Sequence, residues 1–165
     1  MARRYPNRVY MDWPAPYETS REQRFPFGQV MELPNGSIYR YTRMGPTIGI
    51  GARLYQSEVP DAEFDTLVVA TGAVAGDTQL IITNGTTAVT VNEFAEGQVV
   101  IETASGLGHV YPIKDNTIAA SGAAITINLA DGVTFQSVVT AGTHAATLTK
   151  NPWLDVIIAP AVATA

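Results

Sequence analysis

Ile125-Thr126-Ile127-Asn128-Leu129 alternates apolar and polar residues without a break. Successive side chains of an extended chain point to opposite faces, so Ile125, Ile127 and Leu129 share one face and Thr126 and Asn128 the other. That is a strand with one wet side. The flanking sequence has the same texture. Gln79 to Thr83, Gln98 to Thr103, His109 to Ile113, Ala124 to Leu129, Val133 to Val139, Ala146 to Thr149 and Val156 to Ala159 read as short strands separated by Gly, Asn and Asp. Asn35-Gly36 precedes Ser37 to Thr42, and Asn84-Gly85 joins Gln79 to Thr83 with Thr87 to Val91. Asn-Gly between such runs signals a hairpin, because tight β-turns need residues that accept positive φ. The one candidate helical turn is Asn92 to Glu96, with Asn92 as cap and Gly97 as stop. Strands recurring at this spacing predict an all-β chain with a single β-sandwich or β-barrel body rather than βαβ units.

The body is expected over residues 30–165, and residues 1–29 are expected to form an extended arm. This leading stretch holds six of the fourteen aromatics and four of the ten prolines, yet Val9 is its only branched aliphatic residue. The prolines bar a long helix, and so little aliphatic surface cannot offset the ordering entropy of the stretch by itself. Such an arm can dock on another protein through aromatic and arginine side chains, the types that dominate binding hot spots. It can also lie along its own domain or stay a free tail. The charge divides similarly. The net −5 of the 165 residues splits into eight arginines against four acids over residues 1–53, or +4, and two lysines against eleven acids over residues 54–165, or −9. An acidic body repels phosphate backbones, which argues against a nucleic-acid partner. Residues 66–165 contain sixteen threonines and nine charged residues, a low charge density that suits a surface partly covered by sister subunits. Ala70-Thr71-Gly72-Ala73, Ala120-Ser121-Gly122-Ala123 and Thr140-Ala141-Gly142-Thr143 each lead into an apolar strand, a weak internal echo of irregular spacing.

Little in the sequence points to chemistry. The absence of cysteine excludes disulfides, thiolate metal sites and cysteine nucleophiles. No apolar run reaches the roughly 18–20 residues of a membrane span, and Met1 to Pro6 lacks the apolar stretch of a signal peptide, so the chain is expected to be soluble and made in the cytoplasm. Of the two histidines, His109 is expected on a strand wall with Tyr111 and Ile113, and His144 in a turn. Ser105 lacks the glycine two residues upstream that a nucleophile elbow requires. Asp61, Glu63 and Asp65 alternate but lack the glycine and late glutamate of a calcium loop, so they read as a solvated acidic loop. No catalytic residue, metal ligand or cofactor is predicted.

Several segments, taken together, resemble a known family. Asn35-Gly36-Ser37-Ile38-Tyr39-Arg40-Tyr41 is followed by Gly45 and by Gly51-Ala52-Arg53-Leu54-Tyr55-Gln56. Later come Gly97, Gly106-Leu107-Gly108-His109-Val110-Tyr111-Pro112-Ile113, Ile127-Asn128-Leu129-Ala130-Asp131, and Asn151-Pro152-Trp153 ahead of Val156-Ile157-Ile158. Over about residues 30–160 this order is similar to that of small virion structural proteins of tailed bacteriophages. The resemblance implies a capsid decoration, or cement, protein on the outside of the head shell, commonly a trimer, that reinforces the shell against internal DNA pressure. Its partner would be the major capsid protein or a neighbouring trimer, with no nucleic acid and no membrane. The arm residues expected at that contact are Tyr5, Tyr10, Trp13 and Tyr17 for burial, and Arg3, Arg4 and Arg8 for pairing with acidic capsid surface. Two alternatives stay open: a tail, neck or head-fibre protein, and a carbohydrate-binding β-sandwich module using Trp13 and Trp153 as stacking platforms.

Overall fold

The computed structural model describes residues 6–47, 49–51, 53–103 and 106–159. In chain order its strands are β1 (Arg8–Tyr10), β2 (Val30–Glu32), β3 (Ile38–Arg40), β4 (Tyr55–Gln56), β5 (Leu67–Thr71), β6 (Gln79–Thr83), β7 (Gln98–Ile101), β8 (Val110–Asn116), β9 (Ala124–Leu129), β10 (Ala145–Thr149) and β11 (Ile157–Ile158). They belong to two compact units, Pro60–Asn151 and Met1–Val59 with Pro152–Ala165. The chain is all-β, as its alternation predicts. No helix among the described residues is long and apolar enough to cross a membrane.

In the first unit, Pro60–Asn151, six strands close into an antiparallel barrel in the order β10-β5-β6-β9-β8-β7. The segment Ile125 to Leu129 lies in β9, paired on one side with β6 and on the other with β8. Its alternation is what a barrel wall demands. Ile125, Ile127 and Leu129 are buried inside with Leu80, Ile82, Val99 and Leu148. Phe94 sits edge-on to Phe64 at 4.9 Å, and Phe135 contacts Tyr111 at 4.8 Å. Each fully buried side chain of this size is worth roughly 1.5–3 kcal/mol of transfer free energy, and closure leaves no strand edge unpaired.

The barrel also has an internal pseudo-twofold symmetry. A half turn exchanges β5 with β8, β6 with β9 and β7 with β10. The pairs Leu67–Ala146 and Val68–Ala145 then fall on Tyr111–Val99 and Pro112–Gln98. The β5–β6 and β8–β9 ladders each carry one register shift. Outside the strands the bridge Ala73–Val139 falls on Ala119–Val89. The bond from Gly76 N–H to the Phe135 carbonyl (2.8 Å) falls on that from Gly122 N–H to the Gly85 carbonyl (2.9 Å). This symmetry does not follow the echo read in the sequence, since Gly122 corresponds to Gly76 rather than to Gly72 and Ala73 to Ala119.

Three predicted elements differ, each for an identifiable reason. Thr87 to Val91 does not form a hairpin with β6, because both edges of β6 are already taken by β5 and β9. Asn84 is instead buried, its amide donating to the carbonyls of Thr87 (2.7 Å) and Ala120 (3.0 Å). Val133 to Val139 is loop with a single bridge at Val139, since Phe135 exchanges backbone bonds with the Gly76–Asp77 loop and not with a strand. Asn92 has φ +60° and caps nothing. Thr90 takes that place, its N–H and hydroxyl donating to the Glu93 carboxylate at 2.7 and 3.0 Å.

In the second unit, β1, β2 and β3 form a three-stranded sheet with β2 central, and β4 pairs with β11. Here Asn35-Gly36 does form its hairpin. Gly36 N–H donates to the Leu33 carbonyl (2.9 Å) and Gly36 adopts φ +82°, while Ser37 N–H donates to the Asn35 side chain (3.0 Å). The boundary expected at residue 29 is not where the contacts divide. β1 runs parallel to β2, and Met11 N–H continues the ladder to the Glu32 carbonyl (2.9 Å). Phe25 and Phe27 pack on Tyr41 at 5.7 and 6.2 Å. Backbone pairing and aromatic contacts order this stretch, the two sources of stabilisation that a count of branched aliphatics overlooks.

Candidate binding surface

The leading segment presents its aromatics on the three-stranded sheet and the turn that follows β1. Cross-strand partners lie on one face, so Arg8, Val30 and Arg40 share it with Tyr10, Glu32 and Ile38. Met31, between them, turns to the other face and is buried. On the first face Tyr10 is 77% and Ile38 57% exposed. Beyond Met11 the chain tightens into a 3-10 turn, Ala15–Tyr17, in which Tyr17 N–H donates to the Pro14 carbonyl at 2.8 Å. Proline suits this turn because its fixed φ is close to helical values. The turn brings Trp13 and Tyr17 together, their rings stacked at 5.3 Å and 29°, with Trp13 50% and Tyr17 73% exposed.

Of the residues expected at a partner contact, Tyr10, Trp13 and Tyr17 are therefore exposed on one short segment. Arg3, Arg4 and Tyr5 lie outside the described residues. Arg8 differs from expectation, since its guanidinium is ion-paired with Glu32 on the adjacent strand rather than free for an external acid. Ile38 was not singled out by the sequence, although the alternation of Ser37 to Tyr41 holds the signal that would place it beside Tyr10.

The residues considered for chemistry are occupied locally. His109 precedes β8 and is exposed rather than set in the wall. Its Nδ1 lies 3.0 Å from the Tyr111 hydroxyl, which also accepts from Gln136 N–H at 3.0 Å. His144 is buried, and its Nδ1 accepts from Thr140 N–H at 2.9 Å. Asp61 caps a 3-10 turn by accepting from Glu63 N–H, Glu63 accepts from Thr86, and Asp65 accepts from Thr147. The Thr86 bonds hold the Glu63 carboxyl below its ordinary pKa. Three carboxylates so dispersed do not converge on a cation, and among the described residues no group of three or more ligating side chains exists. Ser105 lies outside the described residues.

A second feature of the same unit is a cleft of about 430 Å³ between β4 and the segment leading to β11. Trp153 and Tyr55 line it, with Met44 and Val156. Trp153 is held from the other side. Arg40 lies over its ring at 5.2 Å, and the pyrrole edge packs where a side chain at Gly28 would sit. Neither Arg40 nor Gly28 lines the cleft.

No protein-family model, curated protein or solved structure matches this chain.

Proposed function

We propose that this chain is a structural protein of a tailed-phage head. It decorates the outer shell as a trimer, with its leading segment gripping the major capsid protein or a neighbouring trimer. The observation that carries this reading is the exposed group Tyr10, Trp13 and Tyr17. Three large aromatics on one short segment, two of them pre-stacked, lose little side-chain entropy when covered and have the chemistry of hot-spot anchors. Ile38 extends the apolar patch, and the Arg8–Glu32 pair fixes the strand that displays it. The sparse charge of the barrel unit suits a chain whose surface is shared with sister copies. Segments that reach a neighbour add contacts at high effective concentration and so reinforce a lattice without one large interface.

The test is cosedimentation of the purified full chain with undecorated heads of the phage that encodes it. Wild-type protein should saturate at a copy number set by the shell lattice. The triple variant Tyr10→Ala, Trp13→Ala, Tyr17→Ala should stay folded and lose at least about tenfold in affinity, the scale of 1.4 kcal/mol. Undiminished binding by the triple variant would remove the segment from the interface. Saturation at a single ring of copies would move the protein to the tail or neck. Mass measurement in solution should give a trimer of 17.6 kDa chains.

A further inference from the structure

We infer that the cleft beside Trp153 is a binding site for a neutral saccharide, separate from the segment that displays Tyr10, Trp13 and Tyr17. Three features of the cleft select that ligand class. The first is a pair of rigid aromatic walls. Trp153 is held by Arg40 and by the close approach of Gly28, and its carbonyl accepts from Arg43 N–H at 3.0 Å. The Tyr55 ring is pinned through its hydroxyl, which donates to the Ile50 carbonyl at 2.6 Å and also meets Ile50 N–H. Immobile rings offer a platform for the C–H face of a pyranose without an ordering cost at the moment of binding.

The second feature is uncommitted polarity. Thr42, Gln56 and Ser57 line the same cleft, and none of their side chains has a hydrogen-bond partner among the described residues. Other polar side chains of this unit are engaged, Arg43 with Asp155 and Gln29 with the Pro6 carbonyl. Two hydroxyls and an amide supply donors and acceptors alike, which is what the hydroxyl rim of a sugar needs. The third feature is charge. No Asp, Glu, Lys, Arg or His lines the cleft, so an anionic or cationic ligand would lose hydration there with no countercharge to replace it. A purely apolar ligand would strand the three polar side chains, whereas a neutral polyol satisfies both walls and rim.

The experiment uses the full chain with Trp13→Phe, which leaves Trp153 as the only indole, since the sequence has two tryptophans. Methyl β-D-glucopyranoside, methyl β-D-galactopyranoside and methyl N-acetyl-β-D-glucosaminide are titrated separately, read by indole fluorescence and by saturation-transfer NMR. At least one should give a saturable change with Kd of about 1–10 mM, as one ring contact and a few hydrogen bonds allow. Gln56→Ala should weaken that binding about tenfold, equivalent to 1.4 kcal/mol. Trp153→Ala should abolish NMR transfer, and methyl β-D-glucuronide should bind at least about tenfold more weakly than the neutral glucoside. If Trp153→Ala fails to fold, Trp153→Phe and Gln56→Ala, checked by near-UV circular dichroism, carry the test. No saturable response to any neutral glycoside would overturn the inference. Transfer undiminished in the Trp153 variants and Gln56→Ala, or glucuronide binding as tight as that of the glucoside, would do the same.

Discussion

The barrel unit and the small-sheet unit are ordered by different means. Among the described residues, Pro60–Asn151 holds twenty-one of the twenty-five buried apolar residues, and the other unit only Met31, Leu33, Leu154 and Val156. A closed sheet can turn every second residue inward and hide all its edges. A three-stranded sheet has two edges and one poorly covered face, so it relies on aromatic packing, the Arg8–Glu32 and Arg43–Asp155 pairs, and backbone ladders. The difference extends to what each unit leaves exposed. The exposed large apolar side chains of the barrel unit are aliphatic, Ile118, Leu107 and Val91 among them, whereas the other unit leaves the aromatics Tyr10, Trp13 and Tyr17 in solvent beside Ile38.

The sharpest test of this contrast is the barrel core. Ile127 is fully buried, and Ile127→Ala should cost about 3 kcal/mol in urea denaturation, from lost transfer energy and the cavity left behind. A loss below about 1 kcal/mol would mean that the interior collapses around the gap and is not rigidly packed. Next is Asn116, whose buried side chain accepts from Phe94 N–H at 2.8 Å and donates to the carbonyls of Thr90 (2.9 Å) and Thr117 (3.0 Å). Asn116→Ala strands these backbone groups and should cost about 2 kcal/mol by the same measurement.

A gain is expected at Glu96. Its N–H bond to the Ile113 carbonyl is the pseudo-twofold counterpart of the bond from Gly142 to the Val69 carbonyl, and both residues are left-handed, Glu96 at φ +60° and Gly142 at φ +69°. Glutamate is strained where its counterpart is glycine, so Glu96→Gly should stabilise the barrel by about 1 kcal/mol.

Acid should have a smaller effect through Glu93. Burial pushes its carboxyl pKa up, but bonds from Thr90 and Lys150 (2.9 Å) outweigh that and hold it below the ordinary 4.5. A lowered folded pKa means that the stabilisation is present above 4.5 and is lost as the pH falls through the folded value. Lys150→Met should therefore flatten the acid limb of the stability curve. Smallest of all should be the stability change of the Tyr10, Trp13 and Tyr17 triple alanine variant, within about 0.5 kcal/mol, because exposed side chains support little of the fold. A loss as large as that of Ile127→Ala would show that these aromatics serve the unit's own packing.

Legibility followed how local the cause was. The alternation of Ile125 to Leu129 announced a half-buried strand, and β9 is that strand. The two Asn-Gly pairs were indistinguishable as text, yet only Asn35-Gly36 turns a hairpin. Asn84-Gly85 lies where β6 already has two neighbours, a fact no turn signal contains. Tyr10, Trp13 and Tyr17 stood out by composition. The Arg8–Glu32 pair joins residues far apart in sequence, and the Trp153 cleft draws on segments near residues 42, 55 and 153, so neither was visible without the fold.

Local propensity and periodicity, which act between near neighbours, were enough to determine an all-β chain, its main strands and an aromatic leading segment poor in aliphatic residues. Closure of six strands into a pseudo-twofold barrel, the docking of that segment as a sheet strand, and the juxtaposition of Trp153 with Tyr55 were decided by tertiary pairing. Each depends on which distant edge or side chain is still free when the chain comes together, and the order of residues does not record that competition.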